Sequence, residues 1–117
     1  MNPSWQLSVR ENIQLLQVGD LLSEHTNKEV LRTVDDQIEQ GFYNFVVDLS
    51  AVDYINSIGL NLLILLRERT RKQGGKVVLA SLSPTVVKLF EMTKLSPLFE
   101  QTDTVEAAFG VFPEQKN

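Results

Sequence analysis

The chain has 117 residues and a net charge of −4, from 11 Lys+Arg against 15 Asp+Glu, which argues against nucleic acid or an anionic membrane as its main partner. It has no cysteine and one histidine, which excludes a disulfide framework, thiolate catalysis, cysteine-based zinc sites and a multi-histidine metal site within one chain. Hydrophobic content of 43% and charged content of 22% are ordinary globular values, and the length predicts a single domain over residues 1–117.

The N-terminus, Met1-Asn2-Pro3-Ser4-Trp5, shows no basic targeting region. The longest apolar stretch, residues 60–66, is broken by Asn61 and is far shorter than the roughly 20 apolar residues of a membrane span. The expectation is a cytoplasmic protein with no membrane insertion.

Gln6–Arg10 and Ile13–Val18 are two short runs separated at Asn12, which predicts a tight antiparallel hairpin. Thr26-Asn27-Lys28-Glu29 has the capping-box spacing. Val30, Leu31, Val34 and Ile38 follow at helical spacing, and Gly41 stops the helix. Phe45–Leu49 is a nearly continuous apolar run, the pattern of a strand buried on both faces. After a loop from Ser50 to Asn56, a helix is predicted from Ile58 to Gln73, ended by Gly74-Gly75. Lys76–Ala80 reads as a second buried strand. Ser83-Pro84 opens a third helix with proline at its first position. Pro97–Glu100 is expected as a short edge strand, and Asp103 with Glu106 as the cap of a last helix through Phe109. Residues 112–117 are expected to form a frayed tail. Strands alternating with helices argue an α/β fold with a largely parallel sheet.

Phosphate-binding glycine motifs are absent, and Gly74-Gly75 lies between a helix and a strand, the wrong side for one. His25 has no G-x-S-x-G partner motif and reads as a loop histidine. Asp48 ends a central strand, as a phospho-accepting aspartate would. The additional carboxylates and the late basic residue which that chemistry needs are not in place, so a receiver-domain reading is rejected. What remains is Asn56-Ser57-Ile58-Gly59-Leu60, where a serine enters an apolar helix. Ser57 can be read as the helix cap. It can also be read as a hydroxyl whose phosphate the helix N-terminus would accommodate. Gly59 would let another backbone approach, and Ile58, Leu60 and Leu63 would supply apolar contact beside it.

From about Leu7 to Phe109 the chain resembles STAS domains, the family of anti-sigma factor antagonists and of cytosolic domains of sulfate transporters. Gly19-Asp20-Leu21, the run Val46–Val52 leading through Tyr54 to Leu60, Gly74–Leu79, and Val87–Leu95 followed by Phe99 carry the resemblance. It implies a four- to five-stranded mixed sheet with about four helices, mainly on one face. It also implies a phosphorylation-controlled binding switch that is not an enzyme and uses no cofactor and no metal. In such antagonists the serine is phosphorylated by an anti-sigma factor that is an ATP-dependent serine kinase. The unmodified form binds the kinase and frees sigma factor, and a serine phosphatase restores it. By this resemblance Ser57 is the phospho-acceptor, and Asp20, Leu21, Leu22, Asn56, Ser57, Ile58, Gly59, Leu60 and Leu63 form the partner surface. A weak homodimer is compatible with the family. Asn56 stands where the family often has Asp, Leu22 where many members have Asp, and Ile58 replaces a second hydroxyl. These departures keep a second reading open: a STAS scaffold subunit of a transporter ATPase or a stressosome-like complex, without a phospho-switch.

Overall fold

Residues 5–19 and 23–113 are described by the structure, a computed structural model. The predicted hairpin forms β1 (Trp5–Arg10) and β2 (Ile13–Val18), paired antiparallel. Its two-residue turn places Glu11 and Asn12 at φ 50° and 71°, the double left-handed turn that matches strand twist. Then come α1 (Glu24–Glu39), β3 (Asn44–Asp48), α2 (Ser57–Lys72), β4 (Lys76–Ala80), α3 (Pro84–Met92), β5 (Glu100–Thr102) and α4 (Val105–Val111).

The sheet runs in the order β1-β2-β3-β4-β5, with every pair after the hairpin parallel. Three successive crossovers therefore step in the same direction. Right-handed connections put all three helices, α1 to α3, on one face. The core divides accordingly. Leu16, Phe45, Val47 and Leu79 pack with Val30, Leu62, Leu66 and Phe90 on the helical face. Val46, Val78 and Ala80 pack with Ala108 and Phe112 on the other, under α4. β3 and β4 are buried on both sides, which is why their sequences do not alternate.

Helix α2 ends with Gly74 at φ 82°, its N–H bonded to the Arg71 carbonyl while the Gly75 N–H reaches the Thr70 carbonyl. This paired closure requires a left-handed residue, which glycine adopts without strain.

Several ends differ from the sequence-based expectation. Ser23, not Thr26, caps α1, accepting the Thr26 N–H at 3.4 Å; Thr26 and His25 lie inside the helix. Thr104, not Asp103, caps α4 through the Ala107 N–H at 3.0 Å. Pro97 lies in a 3-10 turn, Ser96–Leu98, and the edge strand begins only at Glu100. Phe112, expected in a frayed tail, is buried against the sheet beneath α4. Among the described residues, no helix is long and apolar enough to cross a membrane.

A serine at the mouth of an interhelical groove

Helices α1 and α2 each follow a parallel strand, so their N-termini lie at the same end of the sheet, beyond the carboxyl ends of the strands. In open α/β sheets this is the end where ligands and partners are met. The pair is tied at both ends. Asn27 Nδ2 donates to the Ile58 carbonyl at 3.3 Å near the N-termini, and Arg69 Nη1 meets Asp35 Oδ2 at 2.8 Å further along. Between them lies a groove of about 380 Å³. Glu24, Lys28 and Leu31 of α1 form one wall; Ser57, Ile58, Asn61 and Leu65 of α2 form the other.

Asn56 caps α2. Its Oδ1 accepts the Gly59 N–H at 3.0 Å, and its backbone is extended. Ser57, one reading of which made it the cap, is instead the first helical residue and is exposed. Among the described residues its hydroxyl makes no hydrogen bond. The backbone N–H groups of Ser57 and Ile58 belong to the set a helix start leaves outside its own ladder, at the positive end of the dipole. An exposed residue thus carries a hydroxyl that no described residue engages, beside backbone groups that favour negative charge.

The other expected contact residues divide. Ile58 is half-buried and lines the groove, and Leu60 is half-buried against the helical-face core. Gly59 is buried, its N–H taken by Asn56. Leu63 is 0% exposed, packed inside the core, and presents nothing to a partner. That expectation is corrected: beyond the first turn of α2, Asn61 and Leu65 line the groove and Leu63 does not. Asp20, Leu21 and Leu22 lie outside the described residues. Asp48 is 8% exposed, accepts the Ser50 N–H at 3.0 Å, and shapes the loop that carries Ser57. Among the described residues, no cluster of three or more His, Cys, Asp or Glu is placed to hold a metal ion.

The sequence did not point to a second groove on the far side of the same loop. It measures about 210 Å³, with Tyr54, Lys88, Leu89 and Met92 among its lining residues. Tyr54 is 59% exposed and Met92 71%. Large apolar side chains left this open mark contact surfaces when they cluster; Tyr54 belongs to the loop before Ser57, and Met92, at the end of α3, lines the same groove.

The separation of cap from hydroxyl has a measurable consequence. Asn56→Ala removes a cap and is expected to destabilise by about 1 kcal/mol, lowering the melting temperature by roughly 3–6 °C. Ser57→Asp adds an acid at a helix start, which the dipole favours, and is expected to melt within about 2 °C of the parent. Thermal denaturation followed by circular dichroism checks both. The reverse ranking would make Ser57 the structural cap.

The STAS domain profile matches residues 4–108 of this chain. BtrV of Bordetella bronchiseptica, assigned as an anti-sigma factor antagonist, is 34% identical over 76 residues. That alignment spans 65% of this chain and 66% of BtrV. Among solved structures, TM1081 of Thermotoga maritima superposes with a TM-score of 0.82 at 19% identity, covering 92% of each chain. The anti-sigma factor antagonist SpoIIAA of Bacillus, in its unphosphorylated form, gives 0.80 at 22% identity, covering 97% of this chain and 99% of that one. SpoIIAA has also been solved phosphorylated, and that structure superposes with a TM-score of 0.72. The likeness to these solved structures is one of fold. With the profile spanning nearly all of the described sheet and helices, the chain belongs to the STAS domain family.

Proposed function

We propose that this protein is an anti-sigma factor antagonist whose binding is switched by phosphorylation of Ser57. In the unmodified state the Ser57 end of the α1–α2 groove docks an anti-sigma factor serine kinase and sigma factor is released. The kinase then transfers the γ-phosphoryl group of ATP to Ser57 Oγ. The Oγ–P bond forms, the bond from the γ-phosphorus to the ADP oxygen breaks and ADP leaves, and the hydroxyl proton passes to a base of the kinase. The modified surface no longer fits, and hydrolysis by a serine phosphatase restores it. The chain is the binding partner and the substrate in this cycle, not the catalyst, and it works as one unit in the cytoplasm.

One observation carries the reading: Asn56 takes over the capping, so Ser57 is exposed at the mouth of the groove and no described residue engages its hydroxyl. A serine retained only for helix capping would have its oxygen turned onto its own backbone. The assignment of BtrV as an anti-sigma factor antagonist supports the same reading.

The test is incubation with ATP and the serine-kinase anti-sigma factor of the same organism, followed by intact-mass measurement and peptide mapping. One added phosphate, on Ser57, is expected. Phosphate elsewhere with Ser57 unmodified overturns the site assignment. Stable binding of a partner with no transfer to Ser57 supports the constitutive scaffold instead.

A further inference from the structure

We propose that Lys28 is the intramolecular counter-charge of phosphorylated Ser57, its side chain reaching across the mouth of the α1–α2 groove to the modified residue. The inference rests on the reading of Ser57 as the phospho-acceptor and names how this chain answers the modification.

Placement comes first. The Asn27 Nδ2–Ile58 carbonyl bond at 3.3 Å fixes residues 27–28 of α1 opposite residues 57–58 of α2. Lys28 and Ser57 line the same groove from its two walls. A lysine stem carries its ammonium several ångströms from the backbone and pivots freely, so the charge can follow a group that grows out of the opposite wall.

Charge comes second. Among the described residues lining the groove, the ionisable ones are Glu24 and Lys28. The first turn of α2 contributes no acid. His25 and Glu29, also on α1, face one another at 3.8 Å and are absent from the groove lining. In the loop before α2, Asp53 and Tyr54 are exposed, and Tyr54 belongs to the groove on the other side. Lys28 enters no ion pair among the described residues. Among the described residues, the unmodified site therefore holds an ammonium without an ion-pair partner across from a neutral hydroxyl. A phosphate brings about −1.5 to −2 charges. It attracts Lys28 and repels Glu24, one helical turn before Lys28 on the same wall. Lys28 and Ser57 are both exposed, so the pair is a solvent-screened one of modest strength. The seated phosphate then occupies the mouth of the groove, so the switch excludes a partner by shape as well as by charge.

The experiment uses the full chain with phosphoserine installed at position 57 during translation, so that no kinase is required. Phosphorus NMR follows the second ionisation of the phosphate against pH. Lys28→Ala is expected to raise that midpoint by about 0.3–0.7 pH unit relative to the parent phosphoprotein. Lys28→Arg should keep it near the parent value, and Glu24→Gln should lower it. The Lys28→Ala difference should shrink at about 1 M salt. Lys28 is exposed, so these variants keep the fold, which circular dichroism checks. Coincident titrations of the parent and Lys28→Ala overturn the pairing, as does a difference that salt leaves unchanged. A kinase that never modifies Ser57 defeats the phospho-switch but leaves this titration intact, so the two failures are separable.

Discussion

Gly75→Ala is expected to destabilise the protein by about 3 kcal/mol, lowering the melting temperature by roughly 9–18 °C. Gly75 lies between the end of α2 and the start of β4, directly beside the residue that precedes β3. A Cβ built there falls on the Tyr43 backbone carbonyl and on the Tyr43 Cβ. Backbone cannot swing aside as a flexible side chain can, so the two strands must part at their first rung, where Asn44 pairs with Lys76. The bond from the Lys76 N–H to Asn44 Oδ1, 3.1 Å long, is lost with it. Gly110→Ala is the control: a Cβ there meets nothing within 4 Å, inside α4. That change should stabilise by about 0.5 kcal/mol, the ordinary gain of alanine over glycine in a helix. Thermal and urea denaturation of the two variants compare the same chemical change with opposite signs. Parent-like melting of Gly75→Ala would mean that β3 and β4 do not approach as closely as described.

The parts of the fold legible in the sequence are those whose burial leaves a local mark. Phe45–Leu49 and Lys76–Ala80 read as strands because both faces of the sheet are covered, which forces consecutive apolar residues. Asn12 read as a hairpin turn because its left-handed φ suits asparagine. Helix starts were less legible. Thr26-Asn27-Lys28-Glu29 satisfies the capping-box spacing, yet Ser23 takes the role one turn earlier. Both are good caps, so residue type alone does not choose between them. Asp103 and Thr104 present the same ambiguity at α4, resolved in favour of Thr104.

The candidate site was half legible. Ser57 and its flanking residues stood out because the run Asn56–Leu60 lies within the STAS resemblance; a serine at a helix start is by itself an ordinary cap. The first half of α2 is apolar nearly all round, so periodicity could not separate the residue that faces the core from the one that faces the groove. Leu63 was placed on the surface and is fully buried; Leu65 was passed over and lines the groove. Glu24 and Lys28 were invisible for a different reason. They lie some thirty residues away on another helix, and only the same-face crossovers and the Asn27–Ile58 bond bring them beside Ser57.

Ser57→Asp is expected to weaken binding to the anti-sigma factor by at least about a hundredfold, roughly 2.7 kcal/mol. The unmodified surface offers a neutral hydroxyl at the mouth of a groove that Leu31, Ile58 and Leu65 help to line, so a partner shaped to it must strip water from whatever replaces that hydroxyl. A tenfold loss takes about 1.4 kcal/mol, and an interfacial charge without a counter-charge from the partner costs several times that. Lys28 can offset at most one unit of charge, and doing so places it across the groove mouth. Ser57→Ala removes only a hydroxyl and should bind within about tenfold of the parent while accepting no phosphate. Asn61→Arg tests the groove without touching the serine. Asn61 is exposed, so the variant folds, but the added side chain fills the space between α1 and α2 and should also reduce affinity at least tenfold. Titration calorimetry against the same anti-sigma factor, with ADP present, separates the three variants. Weak binding by Ser57→Asp with parent-like binding by Asn61→Arg would confine recognition to the helix start, away from the groove. Parent-like binding by Ser57→Asp would mean that charge at position 57 does not control affinity, and the constitutive scaffold would then describe this surface.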